Sequence, residues 1–317
     1  MNLHLPRTPL DAAKFRDPAV TAKGEARASV ALERLETLWF NTGTLCNIEC
    51  GRCYIESSPL NDRLAYLFAA EVETYLDEIA ALGWTTREIG FTGGEPFLNR
   101  EFIAMLEACL ARGFAVLVLT NAMKPMELKQ RELLGLHRRY GARLTLRVSL
   151  DHYAAPIHDA ERGQGSFAKT IEGIDWAARH GFRLALAGRH FSGESEADLR
   201  GGYARLIAEH AWPIEARDPS QLVIFPEMDA SGDVPEITTA CWGILGKSPS
   251  DVMCASSRMV VKRKGSAHPA VLSCTLLPYD SQFELGRSLA ESNRPVALNH
   301  PHCAKFCVLG GASCSAK

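Results

Sequence analysis

The chain of 317 residues is 46% hydrophobic and 23% charged, with a formal net charge of −2 at pH 7. These values are typical of a folded chain that can form one large domain and a small extension. A charge so close to neutral gives no electrostatic basis for binding nucleic acid or an anionic membrane. No run approaches the roughly eighteen apolar residues of a membrane helix. We therefore expect neither a nucleic-acid partner nor a membrane partner.

Charged residues and prolines interrupt every short apolar run near the N-terminus, which lacks the pattern of a secretory signal. The ten cysteines of such a chain indicate metal and redox chemistry in a reducing compartment, because disulfides are typical of oxidising compartments. The sequence therefore predicts a cytoplasmic protein.

Short β-rich runs alternate with helix-periodic segments after a polar leader, which we expect to be irregular to about residue 32. This alternation is typical of βα units around a parallel sheet. The predicted strands span residues 37–42, 88–92, 115–120, 143–150, 183–188 and 221–225. The predicted helices span residues 69–82, 101–112, 126–140, 167–180 and 196–211.

Three cysteines follow the first predicted strand with the spacing C-x3-C-x2-C: Cys46, Cys50 and Cys53. Three thiolates so close together can hold one small metal centre. A four-iron cube held by three cysteines keeps one iron open for a further ligand, whereas a fully ligated centre is structural or only transfers electrons. Zinc sites usually show two separated ligand pairs, so zinc is not the first expectation. A structural metal knot without chemistry is the alternative.

This motif, with the run Thr92-Gly93-Gly94-Glu95-Pro96 after the second predicted strand, resembles the radical S-adenosylmethionine (radical SAM) superfamily. The resemblance implies an α/β fold, a partial (β/α)6 barrel of the TIM type, with a small cysteine-rich C-terminal extension. It also implies a [4Fe-4S] cluster on Cys46, Cys50 and Cys53. In the family this cluster cleaves SAM reductively to a 5′-deoxyadenosyl radical, which abstracts hydrogen from a substrate C–H.

The resemblance further implies which residues contact SAM. Gly93, Gly94, Glu95 and Pro96 would receive its amino group, and Ser149 and Asp151, on the polar face of the fourth strand, its ribose. The same two residues could instead only cap or turn the chain after the strand.

The remaining cofactor contacts are less specific. Arg189 is a candidate on the fifth strand, and Arg147 could meet a substrate or the SAM carboxylate. The residue before the third cysteine is commonly aromatic or histidine in the family, but here it is Arg52, so Arg52 or Tyr54 is expected near the adenine. No catalytic residue is assigned beyond the cluster.

A second cysteine-rich region lies in the C-terminal third, where a hairpin-like stretch separates Cys254 from Cys274. This arrangement resembles the start of the twitch or SPASM extensions that carry auxiliary clusters. The later C-x3-C-x6-C spacing departs from the full SPASM pattern, so we expect one auxiliary [4Fe-4S] cluster. Structural zinc is the alternative. The expected ligands are Cys254, Cys274, Cys303 and Cys307, with Cys314 able to replace one, and with His300 and His302 as lesser candidates.

The sequence thus predicts an oxidoreductase-like radical SAM enzyme with a leader (1–34), a core barrel (35–240) and an auxiliary domain (241–317). A small metabolite is the expected substrate, and a SPASM-type peptide maturase is the alternative. A reducing partner such as flavodoxin or ferredoxin is also implied. A hypothesis from another class is a non-catalytic iron–sulfur carrier, although a carrier needs neither the 93–96 run nor a polar fourth strand.

Overall fold

A nine-stranded sheet organises the chain in the computed structural model, which describes residues 8–227 and 230–310. A first short strand, β1 (Ser29–Val30), lies outside this sheet. The sheet begins in chain order with β2 (Thr37–Asn41), β3 (Glu88–Thr92), β4 (Ala115–Thr120), β5 (Leu144–Ser149), β6 (Arg183–His190) and β7 (Leu222–Pro226). It is completed by β8 (Ser257–Val261), β9 (Ala270–Leu272) and β10 (Glu284–Gly286), whereas β11 (Val296–Ala297) pairs with β1.

Helices fill most connections between the strands and cover the outer face of the sheet. They are α1 (Ala69–Ala81), α2 (Phe102–Ala111), α3 (Lys124–Glu127), α4 (Gln130–Tyr140), α5 (Ala155–Arg162), α6 (Ser166–Arg179), α7 (Glu196–Glu209) and α8 (Cys241–Leu245). No described helix combines the length and hydrophobicity needed to cross a bilayer.

The strands from β2 to β7 are parallel and lie side by side in sequence order. Alternate residues of a strand face opposite sides of the sheet. Leu38 and Phe40 of β2 therefore face the helices with Ile89 and Phe91 of β3, in one large apolar core, while Trp39 faces the barrel interior. The α/β fold predicted from the sequence is confirmed, and each of the six predicted strands is present.

Two helical segments differ from the prediction. The predicted helix 126–140 is divided into α3 and α4, because the chain turns at Leu128 and Lys129. Helix α5 was not predicted, although Pro156 lies in its first turn and Gly163, with φ of 97°, follows its last residue. Proline near the start and glycine just past the end are the usual boundaries of a helix.

The predicted C-terminal hairpin is also present, and it extends the barrel sheet. Strand β8 runs parallel to β2, and β9 returns antiparallel to β8. A second apolar cluster, which includes Trp39, Met259 and Phe306, joins this region to the barrel interior. Part of the leader also packs here, because β1 pairs with β11. The leader is therefore more regular than predicted, while the division at residues 240 and 241 stays a prediction.

Two helical glycines provide a test of how tightly the barrel is packed. A Cβ at Gly173 of α6 would overlap the carbonyl oxygen of Ala122, which follows β4, whereas a Cβ at Gly135 of α4 would meet no neighbouring atom. We expect Gly173→Ala to lower the free energy of unfolding by about 2 kcal/mol through overpacking. We expect Gly135→Ala to raise it by up to about 1 kcal/mol through helix propensity. Urea titration of the metal-free chain measures both, and equal effects would contradict the packing described.

Candidate active site

A cavity of about 1050 Å³, counting its open mouth, lies at the carboxyl ends of the parallel strands. Residues at the ends of β3, β4, β5 and β6 contribute to its wall, as do Phe225 of β7 and the loop that follows β2. Catalytic groups of parallel barrels gather at this end. The wall contains these predicted site residues: Cys46, Cys50, Cys53, Tyr54, Gly93, Gly94, Ser149, Asp151 and Arg189.

The three motif cysteines lie on one short loop and all reach the cavity. The backbone N–H of Cys46 donates to Ser58 O at 3.0 Å, and that of Cys53 donates to Cys50 O at 3.2 Å. Burial raises the pKa of Cys46 to about 12 and also raises that of Cys50. A bound metal deprotonates such thiols and releases their protons.

Among residues 8–227 and 230–310, no group of three His, Cys, Asp or Glu side chains is arranged to hold a single metal ion. The assignment of a cluster to the three cysteines therefore depends on their spacing and on the cavity they share. It stays a prediction for these particular residues.

The glycine pair after β3 approaches the backbone of the cysteine loop closely. Gly94 N donates to Gly43 O at 2.8 Å, and Glu95 N donates to Leu45 O at 3.1 Å. Gly93 has φ of 139°, and a Cβ there would lie 2.5 Å from Gly43 O. A Cβ at Gly94 would overlap Leu45 O. Only glycine fits either position, and the wall there consists of backbone, as an approaching amino group would require.

Glu95 lies behind the cavity wall and connects the ends of two strands. Its carboxylate accepts hydrogen bonds from Thr120 Oγ1 and Asn121 N, both at 2.9 Å, and from Phe97 N at 3.3 Å. Burial raises the pKa of Glu95 to about 7, and these hydrogen bonds oppose the rise. Pro96 is likewise buried, at the start of a short 3-10 turn. The structure thus brings Gly93 and Gly94 to the cavity, but not Glu95 or Pro96.

A buried ion pair lies beside the cysteines at the end of β5. Asp151 accepts two hydrogen bonds from Arg162, at 2.8 and 2.9 Å, and lies 3.6 Å from Arg189. Burial acts to raise the pKa of Asp151, but Arg162 and Arg189 outweigh it and hold that pKa below its usual range. Arg162 also opposes the rise in the pKa of Cys50. Both arginines line the cavity.

Arg52 takes part in a different set of contacts from the one expected near an adenine. Its guanidinium pairs with Glu161 of α5, lies 3.8 Å from the Glu227 carboxylate, and lies over the Phe191 ring at 5.1 Å. Arg189 Nη1 donates to Arg52 O at 2.6 Å. Of the two candidates for the adenine contact, the cavity wall therefore contains Tyr54, while Arg52 holds the cysteine loop against α5 and β6.

Arg147 lies outside the cavity wall. It is buried, its Nη2 lies 3.5 Å from Ser220 O, and it acts to lower the pKa of Glu88 at the opposite end of the sheet. Arg162 is a cavity residue that the sequence reasoning missed. The boundary residues of α5 could have indicated Arg162, because they place it in the last turn of a helix directly after Asp151.

Much of the cavity wall outside the cysteines is apolar. Phe225 of β7 stacks on Phe306 of the C-terminal segment with ring centroids 5.6 Å apart. The other large apolar residues of the wall are Trp39, Ile48, Ile55, Leu119 and Leu276. Arg162, Arg189 and Asp151 supply the charged side chains of the described wall, and all three lie together near Cys50. The cavity wall therefore combines a charged cluster near Cys50 with large apolar side chains.

The C-terminal cysteines line a second, smaller cavity of about 350 Å³. Cys254, Cys274, Cys303 and Cys307 share its wall with His302. Burial raises the pKa of Cys254 to about 12, and it raises those of Cys274 and Cys303 as well.

The other cysteines and the histidines of this region are placed differently. The Cys241 sulfur accepts from Thr238 N at 3.3 Å, and this residue is not part of that wall. The His300 ring lies against the His302 ring, with 4.7 Å between centroids. Cys314 lies outside the described residues.

Comparison with known proteins now extends this picture. The sequence profile of the radical SAM superfamily matches residues 40–200. The chain belongs to the radical SAM superfamily. The matched region contains the three cysteines, the 93–96 run and the Asp151 ion pair. The predicted superfamily is thereby confirmed. The general chemistry of the superfamily, whose members are enzymes that use SAM and a [4Fe-4S] cluster, is confirmed with it.

Curated relatives of this radical SAM protein include both peptide-related and nucleotide-related enzymes. The subtilosin biosynthesis protein AlbA of Bacillus subtilis is 33% identical over 143 residues, 45% of this chain and 30% of AlbA. The mycofactocin maturase MftC of Mycobacterium ulcerans is 27% identical over 143 residues, 43% of this chain and 35% of MftC. The GTP 3′,8-cyclase of Marinobacter nauticus is 27% identical over 140 residues, 44% of this chain and 40% of the cyclase. The matches span less than half of the length of each relative.

Solved radical SAM structures share the fold at low sequence identity. Streptococcus suis SuiB bound to S-adenosylmethionine has a TM-score of 0.58 at 13% identity, over 80% of this chain and 63% of SuiB. The protein anSMEcpe with bound AdoMet has a TM-score of 0.58 at 15% identity, over 81% of this chain and 76% of anSMEcpe. These similarities confirm the fold class. With AlbA and MftC, they support the resemblance to radical SAM enzymes of the SPASM or twitch kind.

The buried ion pair gives a second prediction. We expect Asp151→Asn and Arg162→Gln each to lower the free energy of unfolding by about 3 kcal/mol, because each leaves an uncompensated buried charge. The double variant should lose less than the sum of the two, because it removes both charges. Urea titration of the metal-free chain measures this cycle, with Arg34→Gln as a control in an exposed pair. Additive losses in the double variant would contradict the coupling.

Proposed function

We propose that this radical SAM enzyme abstracts a hydrogen atom from a carbon atom in an apolar group of its substrate. The observation that carries the proposal is the composition of the cavity wall, in which three cysteines and an ion pair share one cavity with aromatic and aliphatic side chains. A bound substrate would present an apolar group to that wall and lie next to SAM. Burial of apolar surface there would supply binding free energy.

In this proposal Cys46, Cys50 and Cys53 hold the cluster, which with SAM supplies a 5′-deoxyadenosyl radical when both are bound. The backbone at Gly93 and Gly94 receives the SAM amino group, since both glycines line the cavity and lie against the cysteine loop. The protein otherwise binds, orients and excludes water, because the radical chemistry belongs to the cofactor.

The remaining contacts with SAM are assigned among Ser149, Asp151 and Arg189. Both carboxylate oxygens of Asp151 already accept from Arg162, so we assign Asp151 chiefly to holding the two arginines in place. Ser149, which lies on the cavity wall, is then the candidate for the ribose. Arg189 is the candidate for the SAM carboxylate, because a guanidinium pairs well with a carboxylate. Tyr54 is the candidate for the adenine.

A small metabolite is the first candidate substrate. The cysteines, the glycine pair and the large apolar side chains line one cavity, so SAM and a small apolar substrate would lie next to each other there. A nucleoside triphosphate fits the wall less well. Of the two positive charges of the described wall, Arg162 pairs with Asp151 and Arg189 is assigned above to the SAM carboxylate, so neither is left for a triphosphate.

A peptide is the second candidate substrate, on the strength of the relatives. AlbA is a bacteriocin biosynthesis protein and MftC a maturase, and the fold also matches SuiB bound to its precursor peptide SuiA. One apolar side chain of a peptide would occupy the apolar wall in the same way as an apolar metabolite. Both candidates therefore agree on the chemistry at the reacting carbon.

We assign the second cavity to an auxiliary [4Fe-4S] cluster on Cys254, Cys274, Cys303 and Cys307. Four protein ligands favour electron transfer, because no iron is left open for a substrate. The division into a core (35–240) and an auxiliary region (241–317) belongs to this proposal. A reducing partner such as flavodoxin or ferredoxin and a cytoplasmic location belong to it as well.

The cluster assignment predicts a specific loss of iron. After anaerobic reconstitution with iron and sulfide, wild type with dithionite and SAM should form 5′-deoxyadenosine. The variant with Cys46, Cys50 and Cys53 changed to alanine should form none and hold about four fewer irons. Cys109→Ala is the matched control, because Cys109 is buried in α2, away from the cavity. Iron analysis and chromatography of the nucleoside measure both effects. Nucleoside from the triple variant would contradict the proposal.

The apolar wall predicts selective damage to substrate turnover. Leu119→Lys places a cation on the wall, so it should reduce the extra 5′-deoxyadenosine formed with substrate at least tenfold, while cleavage of SAM without substrate continues. Leu128→Lys, at an exposed position, should behave as wild type. The small-molecule filtrate and the peptide fraction of a host extract are each tested as substrate sources. Stimulation by one fraction alone identifies the substrate class, and unchanged stimulation in Leu119→Lys would contradict the apolar wall.

A further inference from the structure

Arg258 is a fully buried arginine beside the second cavity. It lies on β8 with 0% of its surface exposed. Its Nη1 donates to Cys254 O at 2.6 Å and to Ser257 O at 2.8 Å, and its Nε donates to Ser292 O at 3.1 Å. Its Nη2 reaches Arg294 O at 3.4 Å. All four acceptors are neutral backbone carbonyls, which satisfy the donors but leave the charge uncompensated.

Two other buried arginines, Arg27 and Arg162, pair with carboxylates. Arg27 lies 2.5 Å from Glu236, and Arg162 lies 2.8 Å from Asp151. No carboxylate among the described residues pairs with Arg258, and its Nη1 instead donates to the backbone of Cys254, a cysteine on the wall of the second cavity. An isolated charge is costly to bury, so a buried arginine is normally accompanied by an anion. The cysteines of the second cavity would supply that anion once they bind a metal as thiolates.

We propose that Arg258 is a positioning residue that supplies the counter-charge for an anionic metal–thiolate centre on Cys254 and Cys274. The inference rests on the auxiliary cluster proposed above. The bond from Nη1 to Cys254 O fixes the backbone of one ligand, and groups that orient metal ligands in this way tune the centre. The positive charge also favours the more reduced, more negative state of a cluster, since nearby charge helps to set its reduction potential.

The same placement connects the second cavity to the barrel. Arg258 lies in register with Leu38 of β2, in the parallel pairing of β8 with β2. The chain that leaves β2 forms the loop with Cys46, Cys50 and Cys53. The backbone of Arg258 is thus part of the sheet, and four backbone carbonyls hold its guanidinium beside Cys254.

The test compares two substitutions that separate the charge from the hydrogen bonds. Arg258→Gln keeps a donor for the carbonyls and removes the charge, whereas Arg258→Lys keeps the charge and loses the planar fork. Both are made in the variant that lacks Cys46, Cys50 and Cys53, so that iron and electron paramagnetic resonance report only the auxiliary centre. Arg27→Gln is the matched control, a buried arginine with its own carboxylate. Reduction potential and thermal midpoint are measured on iron-loaded and metal-free protein.

We expect Arg258→Gln to shift the reduction potential of the auxiliary centre to more negative values and Arg258→Lys to keep it close to that of the parent. Arg258→Gln should lower the thermal midpoint of iron-loaded protein and leave that of metal-free protein unchanged or higher. Arg27→Gln should lower both midpoints and leave the potential unchanged.

Each of the following results would overturn the inference, and they differ in which other assignments they also overturn. Equal losses of midpoint with and without iron, with an unchanged potential in Arg258→Gln, would reduce Arg258 to a structural link between carbonyls. The auxiliary cluster would then stand. A parent variant that binds no iron at all would remove the auxiliary cluster and this inference together, while the chemistry assigned to the first three cysteines would stand. If Arg258→Gln does not fold, a potential in Arg258→Lys far from that of the parent overturns the inference.

Discussion

The backbone contact between the cysteine loop and the glycine pair after β3 is the constraint on which the site depends. Gly94 N and Glu95 N donate to carbonyls of residues 43 and 45, just before Cys46, and no side chain could be added between them. The Glu95 carboxylate then connects this contact to the end of β4. Two motifs separated along the chain thereby form a single wall. A substitution at either glycine would displace the cysteine loop, because the added side chain would overlap a carbonyl oxygen of that loop.

Much of the barrel could be predicted because short β-rich runs alternate with helix-periodic segments along the chain. This alternation indicated all six core strands, and a resemblance carried by two short motifs indicated the correct superfamily. The position of β8 could not be predicted in this way. Its sequence predicts a hairpin with β9, but nothing local specifies that its other edge pairs with β2. Such pairing is decided by long-range packing, here of Met259 and Trp39 in one apolar cluster.

The candidate site was predictable in its ligands and less so in its supporting residues. The cysteine spacing is a local property, so the loop and its glycine partners could be identified directly. Asp151 could be identified as polar, but not its bonds to Arg162, because α5 was not recognised. Arg52 is similar. Its identity is visible in the sequence, but its contacts with Glu161 of α5 and with Phe191, which follows β6, join segments that are far apart in the chain. Arg258 gives no sequence signal at all, since a single arginine in a strand is ordinary.

The pairing of β8 with β2 has a consequence for where this chain can be divided. In the whole protein β2 is an interior strand, with β3 on one side and β8 on the other. A fragment ending before β8 would leave the backbone N–H and C=O groups of β2 exposed along an apolar edge. Unprotected edges of this kind recruit strands from other molecules and lead to aggregation. The region that carries the second set of cysteines therefore also shields the first strand of the barrel, and an evolutionary loss of one role would endanger the other.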